Sequence, residues 1–201
     1  MSASSLSPLR AELARKALHL LTAALPIAWA RDVVSTSQLR GALTAALVVA
    51  LGIEVLRRRS PAIGTRFVAL VGPLLRRHET RALTGATWLA LAMAAAVWFA
   101  PERAALAALW AAAVGDASAA VVGRSVAQWR GLTTGGKSWV GSAAAALSTA
   151  VGCWWLAAAT WPVAVALGAV AAMAEYPHRP FDDNLRVATA VALAAVVLGL
   201  R

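Results

Sequence analysis

A cluster of acidic and amide residues near the C-terminal end has the composition of a magnesium site. Asp182, Asp183 and Asn184 are consecutive, and Glu175 precedes them by seven residues. Carboxylate and amide oxygens are ligands of Mg²⁺, whose shell is usually completed by substrate phosphates. The alternative is that one of these residues caps the helix that begins here. A cap needs only one residue, so the run favours metal binding by Asp182, Asp183, Asn184 and Glu175.

A second candidate is Asp116, which lies inside an apolar stretch. An ionisable residue within a membrane helix is costly and is a functional candidate by default. The glycines, alanines and serine around it let a ligand or another helix come close. Arg124, near the end of the same stretch, is a candidate phosphate ligand. The alternative is a buried Asp that pairs with an Arg for stability.

The segment 131–138 matches the phosphate-loop pattern G-x-x-x-x-G-K-[ST]. That pattern requires a βαβ unit, whereas this segment lies between two predicted membrane helices, so a phosphate-loop fold is rejected. The local chemistry still applies, because a Gly-rich loop that opens a helix presents N–H groups and a positive dipole end to a phosphate. Gly135, Gly136, Lys137 and Ser138 are therefore candidate phosphate ligands. The alternative is a flexible linker.

One face of the first predicted helix carries Glu12, Arg15, Lys16 and His19, which are three or four residues apart. The two cations could simply extend toward lipid headgroups. His19 lies one turn deeper, which favours a functional role for the group. A further motif at 81–88 opens a later helix, either as part of a site or as a cap with small packing residues.

The composition is that of a membrane protein. Of the 201 residues, 60% are hydrophobic and 14% are charged, and the mean hydropathy is +0.68. A span needs about 20 apolar residues, so the length allows about seven spans and no separate soluble domain. We therefore predict an all-α, polytopic transmembrane bundle that forms a single domain over 1–201.

Apolar stretches that predict membrane helices are spread along the chain. They lie at 13–30, 39–56, 82–100, 103–123, 138–160, 161–175 and 185–200. Another stretch, 62–75, is flanked by prolines and arginines and is predicted to be interfacial or re-entrant.

The charges predict how the chain is oriented in a cell membrane. Most of the 19 Lys and Arg residues lie in loops on one side, and the positive-inside rule places that side and the N-terminus in the cytoplasm. The candidate site residues lie on the same face, which is therefore the predicted active-site face. The net charge of +10 is explained by basic loops at anionic headgroups, so we predict contact with membrane lipids and no nucleic-acid partner.

Taken in order along the chain, these groups resemble the CTP-dependent polyprenol and lipid kinase family, which includes dolichol, phytol, farnesol and diacylglycerol kinases. The similarity extends over nearly the whole chain, in the segments 12–19, 84–87, 115–124, 137–142 and 175–185. Two positions differ from the family pattern. Val140 stands where the family has Glu in Lys-Ser-x-Glu-Gly-Ser, and Ala188 stands where it often has proline.

The resemblance implies an enzyme that transfers the γ-phosphoryl group of CTP to the hydroxyl of a membrane lipid alcohol with Mg²⁺. The implied catalytic residues are Asp116, Lys137, Asp183 and His19. The implied metal ligands are Asp116, Asp182, Asp183, Asn184 and Glu175. The implied nucleotide and phosphate ligands are Arg15, Lys16, Arg124, Gly135, Gly136, Lys137, Ser138, Gly141 and Ser142. The proton of the alcohol would pass to a carboxylate or to His19.

Two other functions fit the same residues. A phosphatidate cytidylyltransferase-like enzyme would attack the α-phosphorus of CTP and release pyrophosphate, and it too needs cations and Mg²⁺. A non-enzymatic membrane relative, such as a small transporter, would use Asp116 in an ion or proton path. The Gly-rich loop and the Asp-Asp-Asn run count against that alternative, whereas Val140 counts for it.

Overall fold

The computed structural model describes residues 8–80, 82–125, 133–134, 137–175 and 182–201. As predicted, the chain is all-α. The helices are α1 (Pro8–Thr22), α2 (Ala24–Ala30), α3 (Thr36–Arg59), α4 (Pro61–Val71), α5 (Gly85–Phe99), α6 (Glu102–Trp110), α7 (Asp116–Ser125), α8 (Trp139–Trp155), α9 (Trp161–Glu175) and α10 (Asp183–Val197). Two 3₁₀ turns, Gly72–Leu74 and Arg77–Thr80, lie between α4 and α5.

The only sheet pairing among the described residues lies in the Gly-rich loop. Two-residue strands β1 (Thr133–Thr134) and β2 (Lys137–Ser138) pair antiparallel. The second strand leads directly into α8, so the described residues of the phosphate-loop pattern form an antiparallel pair before a helix and not part of a βαβ unit.

Each predicted apolar stretch contains a helix or a pair of helices. The stretch 13–30 is divided into α1 and α2 at Ala23. The stretch 103–123 was predicted as one helix, but a π-helical segment, Ala111–Gly115, separates α6 from α7. The stretch 62–75 forms α4, none of whose residues is buried.

The rod formed by α6, the π segment and α7 is the centre of the fold. Both α8 and α10 pack against it, and α9 packs against those two helices. Residues 104–109 and 111–113 are buried, and most of them are alanine. Small side chains let helix backbones approach closely, so the core is built on close helix contact more than on large side chains.

Two helices within the described residues are long and apolar enough to cross a membrane, by length and composition: Thr36–Arg59 and Glu102–Arg124. Their environments differ. In the most apolar part of Thr36–Arg59, 17% of the residues are buried inside the protein. In the most apolar part of Glu102–Arg124, the buried share is 67%. The first helix therefore turns its apolar side chains outward, and the second forms the interior.

Side-chain caps define the starts of three helices. Thr84, Ser138 and Asp182 precede α5, α8 and α10, and each accepts a hydrogen bond from a backbone N–H two or three residues later. Such bonds satisfy amides that have no partner inside the helix. The caps therefore fix the residues at which α5, α8 and α10 begin.

Candidate functional site

A polar cavity with a volume of about 530 Å³ lies at the capped end of the bundle. Most of the predicted site residues that the structure describes line it. The wall consists of Glu12, Lys16, Arg76, Asp116, Ala119, Ala120, Gly123, Arg124, Ser138, Gly141, Ser142, Glu175 and Asp183. We call this space the polar cavity.

Asp116 lies in the wall of the polar cavity as one partner of a buried ion pair. Lys16 Nζ donates to Asp116 Oδ2, and the side chains are 4% and 8% exposed. His19 Nδ1 lies 3.7 Å from the same carboxylate oxygen and has no hydrogen-bond partner among the described residues. A buried charge needs such pairing, so Lys16 and Asp116 compensate each other inside the protein.

The π segment that ends at Gly115 sets the direction of Asp116. A π turn contains one residue more than an α turn, which rotates all later residues by about 100° around the helix axis. Residues 111–113 therefore keep their small side chains buried in the core, while Asp116 faces α1 and the polar cavity. Such π turns are frequent at functional sites.

Two arginines add permanent positive charge to the polar cavity. Arg124 Nη2 lies 3.3 Å from Glu12 Oε1. Arg76 Nη1 lies 3.7 Å from Asp183 Oδ1 and 3.9 Å from Asp182 Oδ2. Burial lowers the pKa of the Arg76 guanidinium, but the neighbouring carboxylates outweigh burial and raise that pKa. The polar cavity therefore presents cations and carboxylates side by side.

The Asp-Asp-Asn run is divided between the polar cavity and a helix cap. Asp183 lines the polar cavity, whereas Asp182 Oδ1 accepts from the backbone N–H and the Nδ2 group of Asn184, at 3.0 and 2.7 Å. Burial, together with the charge of Asp183, raises the pKa of Asp182 to about 6. The structure confirms the cap, which Asp182 provides, whereas metal binding by Asp183 in the cavity wall stays a prediction.

Asn184 lies behind the cavity wall. Its Nδ2 group donates to the carbonyl oxygen of Gly85 at 3.4 Å, and its Oδ1 atom is buried without a hydrogen-bond partner among the described residues. Its predicted role as a metal ligand, like that of Asp182, stays a prediction.

The predicted phosphate ligands fall into three groups. Ser138, Gly141 and Ser142 line the polar cavity at the start of α8. Arg15 does not line it. Its Nη1 group donates to the carbonyl oxygen of Leu74 at 3.3 Å, and its Nη2 group pairs with Glu12, which does line the cavity. The predicted ligands Gly135 and Gly136 and the side chain of Lys137 lie outside the described residues.

The carboxylates of the polar cavity have the chemistry of Mg²⁺ ligands without forming a compact cluster. Asp116, Glu175 and Asp183 come from different helices and line the same cavity. Within the described ranges, no group of three or more His, Cys, Asp or Glu side chains is close enough to hold a metal ion. Mg²⁺ often takes one or two carboxylates together with substrate phosphates and water, so these residues fit a metal that arrives with a phosphate substrate.

A buried polar network behind the cavity was not predicted. Glu54 is 2% exposed, and its Oε1 atom accepts from the Thr84 backbone N–H at 2.8 Å. Its Oε2 atom accepts from Arg57 Nε at 2.8 Å. The signal was present in the sequence, because Glu54 is an ionisable residue inside a predicted span, the same feature that singled out Asp116.

Glu79 extends this network to the cavity wall. Its carboxylate accepts from the backbone N–H groups of Arg76, at 2.8 Å, and Gly85, at 3.0 Å. The network therefore holds the loop that carries Arg76 against the start of α5. The sequence identifies Arg76 only as one of several basic loop residues. No local pattern distinguishes it from its neighbours.

An apolar cleft of about 450 Å³ adjoins the polar cavity. It is lined by helices α1 to α5 and by the 3₁₀ turn that follows α4. Its lining includes His19, Thr84 and Thr87 at one end and Leu25, Leu43 and Met93 at the other. We call this space the apolar cleft. Arg15, which does not line the polar cavity, borders this cleft instead.

No protein-family model, curated protein or solved structure matches the chain.

Proposed function

We propose that the protein is a multi-pass membrane enzyme that transfers the γ-phosphoryl group of CTP to the hydroxyl of a lipid alcohol of the polyprenol or phytol type. The observation that carries this proposal is the junction of the polar cavity with the apolar cleft at Asp116 and His19. Charged residues for a nucleotide lie on one side of the junction, and apolar walls for a lipid lie on the other. The two substrates would meet there.

The polar cavity has the groups that phosphoryl transfer requires. Catalysis of this reaction depends mainly on positioning and on charge stabilisation. Lys16, Arg76 and Arg124 supply positive charge to the phosphates. Asp116 and Asp183 would hold Mg²⁺, which neutralises negative charge on the phosphates. The donor's identity as CTP rests on the family resemblance of the ordered motifs.

The transfer itself needs one bond made, one broken and one proton moved. The alcohol oxygen forms a bond to the γ-phosphorus, and the bond from that phosphorus to the bridging oxygen breaks, which releases CDP. The hydroxyl proton passes to His19 or to the Asp116 carboxylate, two groups that lie 3.7 Å apart. Positioning of the two substrates is the main contribution of the protein.

A location in the cell membrane, with about seven spans and a cytoplasmic N-terminus, belongs to the same proposal. Large apolar side chains are unusually exposed, including Leu70 at 81%, Phe99 at 88% and Val197 at 85%. Apolar surface of this extent calls for a partner, and lipid chains would provide it. The polar cavity lies near the basic loops, so the positive-inside rule puts it where CTP is available.

The test is a transfer assay with the protein purified in detergent. It would be incubated with Mg²⁺, γ-labelled CTP and a panel containing phytol, farnesol, geranylgeraniol, a long polyprenol and diacylglycerol. We expect label in a lipid phosphate. The Asp116→Asn variant should lose at least about a hundredfold in rate, since a neutral amide neither binds Mg²⁺ well nor accepts a proton.

Asp32→Asn is the matched control, because Asp32 is exposed and its φ of 56° is one that Asn also tolerates. This variant should keep full activity. Pyrophosphate and a CDP-lipid formed from phosphatidate, with no transfer to any alcohol, would overturn the kinase proposal in favour of a cytidylyltransferase. A folded protein that is silent in both assays would indicate a non-enzymatic relative.

A further inference from the structure

We infer that the apolar cleft is the acceptor site, where the single tail of the lipid alcohol lies along α3 and α5 with its hydroxyl at His19. This inference rests on the proposed function and extends it, because it names the walls that select the lipid.

The cleft changes from polar to apolar in the same direction along α3, along α5 and from α1 to α2. From α1 to α2 the lining passes from His19 to Leu25, and along α5 it passes from the cap residue Thr84 to Met93. The chain direction of α3 is opposite, and its lining passes from Glu54 back to Leu43. A cleft with one polar end matches a molecule that has one polar head and one apolar tail.

The polar end of the cleft meets the polar cavity across α1. Lys16 lines the polar cavity, and His19, one turn later, lines the cleft. Both side chains approach the same oxygen of Asp116. A hydroxyl bound at His19 would therefore lie beside the Asp116 carboxylate, whose other neighbour, Lys16, lines the polar cavity.

The rim of the cleft is exposed on α1 and on α3. Helix α1 packs mainly on α7 and the π segment, whereas α3 packs on α4 and α5. Leu18 and Ile53 line the cleft and are 51% and 42% exposed. This apolar rim lets a lipid tail enter from the side, without passing through water.

The length of the cleft limits how much of the tail it can hold. Leu43 and Glu54 mark its ends on α3, and eleven residues of helix span about 16 Å. That is roughly half of the ~30 Å hydrocarbon thickness of a bilayer. The head-proximal part of one chain fills the cleft, and the rest of a long tail extends into lipid. We therefore expect kcat/KM to increase with chain length and then to become constant.

A pair of neighbouring substitutions tests these walls. Ala46 lines the cleft about 12 Å from Glu54 along the helix, whereas the adjacent Ala45 does not line it. Ala46→Trp should lower kcat/KM for long polyprenols by about tenfold or more, because a bulky ring overfills the deep end. Short alcohols such as geraniol should react as with the wild type. Ala45→Trp should leave both unchanged.

A second measurement does not depend on phosphoryl transfer. A farnesol analogue with a diazirine at its tail end would be irradiated with the wild-type protein, and the labelled residues would be identified by mass spectrometry. We expect label near Leu43 and Met93, with competition by unlabelled farnesol. Label confined to other helix surfaces, or an unaltered chain-length profile in Ala46→Trp, would overturn the inference. Label in the cleft without any transfer activity would support lipid-alcohol binding in the cleft and reject the kinase reaction.

Discussion

At the scale of single residues, the pair formed by Lys16 and Asp116 joins helices that are a hundred positions apart in sequence. Both side chains are almost completely buried. Each charge is acceptable in this environment because the other is present, so the two residues should act as a unit in stability as well as in activity.

A double-mutant cycle tests that coupling. Lys16→Met should destabilise the protein by ~3–5 kcal/mol, because it leaves the Asp116 carboxylate buried without its partner. Adding Asp116→Asn should restore much of the stability but none of the activity. Unfolding can be followed with a thiol-reactive dye, since Cys153 is fully buried and is the single cysteine. Destabilisations that simply add in the double variant would contradict the coupling.

Asp182 predicts a pH dependence of stability. Its pKa in the folded protein is raised from 3.8 to about 6, so the folded state binds the proton more tightly than the unfolded state does. This contribution to stability is complete below the unfolded pKa and is lost as the pH rises through about 6. Metal-free protein should therefore unfold at a lower temperature at pH 7 than at pH 5.

The matched variant is Asp182→Asn, which keeps a residue that caps helices well and removes the titrating group. Its unfolding temperature should change less between these two pH values than that of the wild type. Equal changes in both proteins would show that another group is responsible.

At the scale of the elements, close contact between α7 and α8 shapes the polar cavity. A Cβ atom at Gly141 would lie 2.8 Å from the Ala119 carbonyl oxygen. This oxygen belongs to the helix backbone and cannot rotate away, so any side chain at position 141 must push the two helices apart. Ser138 and Ser142, which line the cavity from α8, would move with it.

Gly141→Ala should therefore cost ~1–3 kcal/mol of stability through overpacking and should lower the transfer rate. Gly41→Ala in α3 is the control, since nothing lies within 4 Å of a Cβ atom there. It should be neutral or slightly stabilising, because alanine favours a helix more than glycine does. Thermal unfolding and the transfer assay measure both variants. Equal stabilities and equal transfer rates of the two variants would show that the contact between α7 and α8 can accommodate an added methyl group.

At the scale of the whole molecule, the apolar surface and the basic loops together predict which positions face each side of the membrane. In a Cys153→Ala background, single cysteines can be placed at Ser37 and Thr65, both of which are exposed. A membrane-impermeant maleimide added to intact cells should label Ser37→Cys. It should label Thr65→Cys only after permeabilisation.

The Cys153→Ala parent, which has no cysteine left, serves as the background control. The reverse labelling pattern would invert the proposed orientation. Labelling of both cysteines in intact cells would show that no bilayer separates them, which would contradict the multi-pass arrangement.

Much of the fold and part of the candidate site could be predicted from the chain alone. Helical class, the positions of the apolar stretches and the selection of Asp116 as a candidate follow from hydropathy and from isolated charges, which are local properties. The π segment before Asp116 could not be predicted, because the alanine-rich stretch that contains it predicts an uninterrupted α-helix. Glu54 could have been predicted by the reasoning applied to Asp116.

The sequence by itself determined that the protein is helical, that its surface is apolar and that certain polar residues are out of place in such a chain. Only the tertiary structure decided which of these residues meet. It paired Lys16 with Asp116, turned His19 and Arg15 toward the apolar cleft, and separated Asp183 from the cap residue Asp182. The physical reason is that one residue corresponds to about 100° around a helix. A side chain's partners therefore depend on how each helix is rotated and packed, which the local pattern does not record.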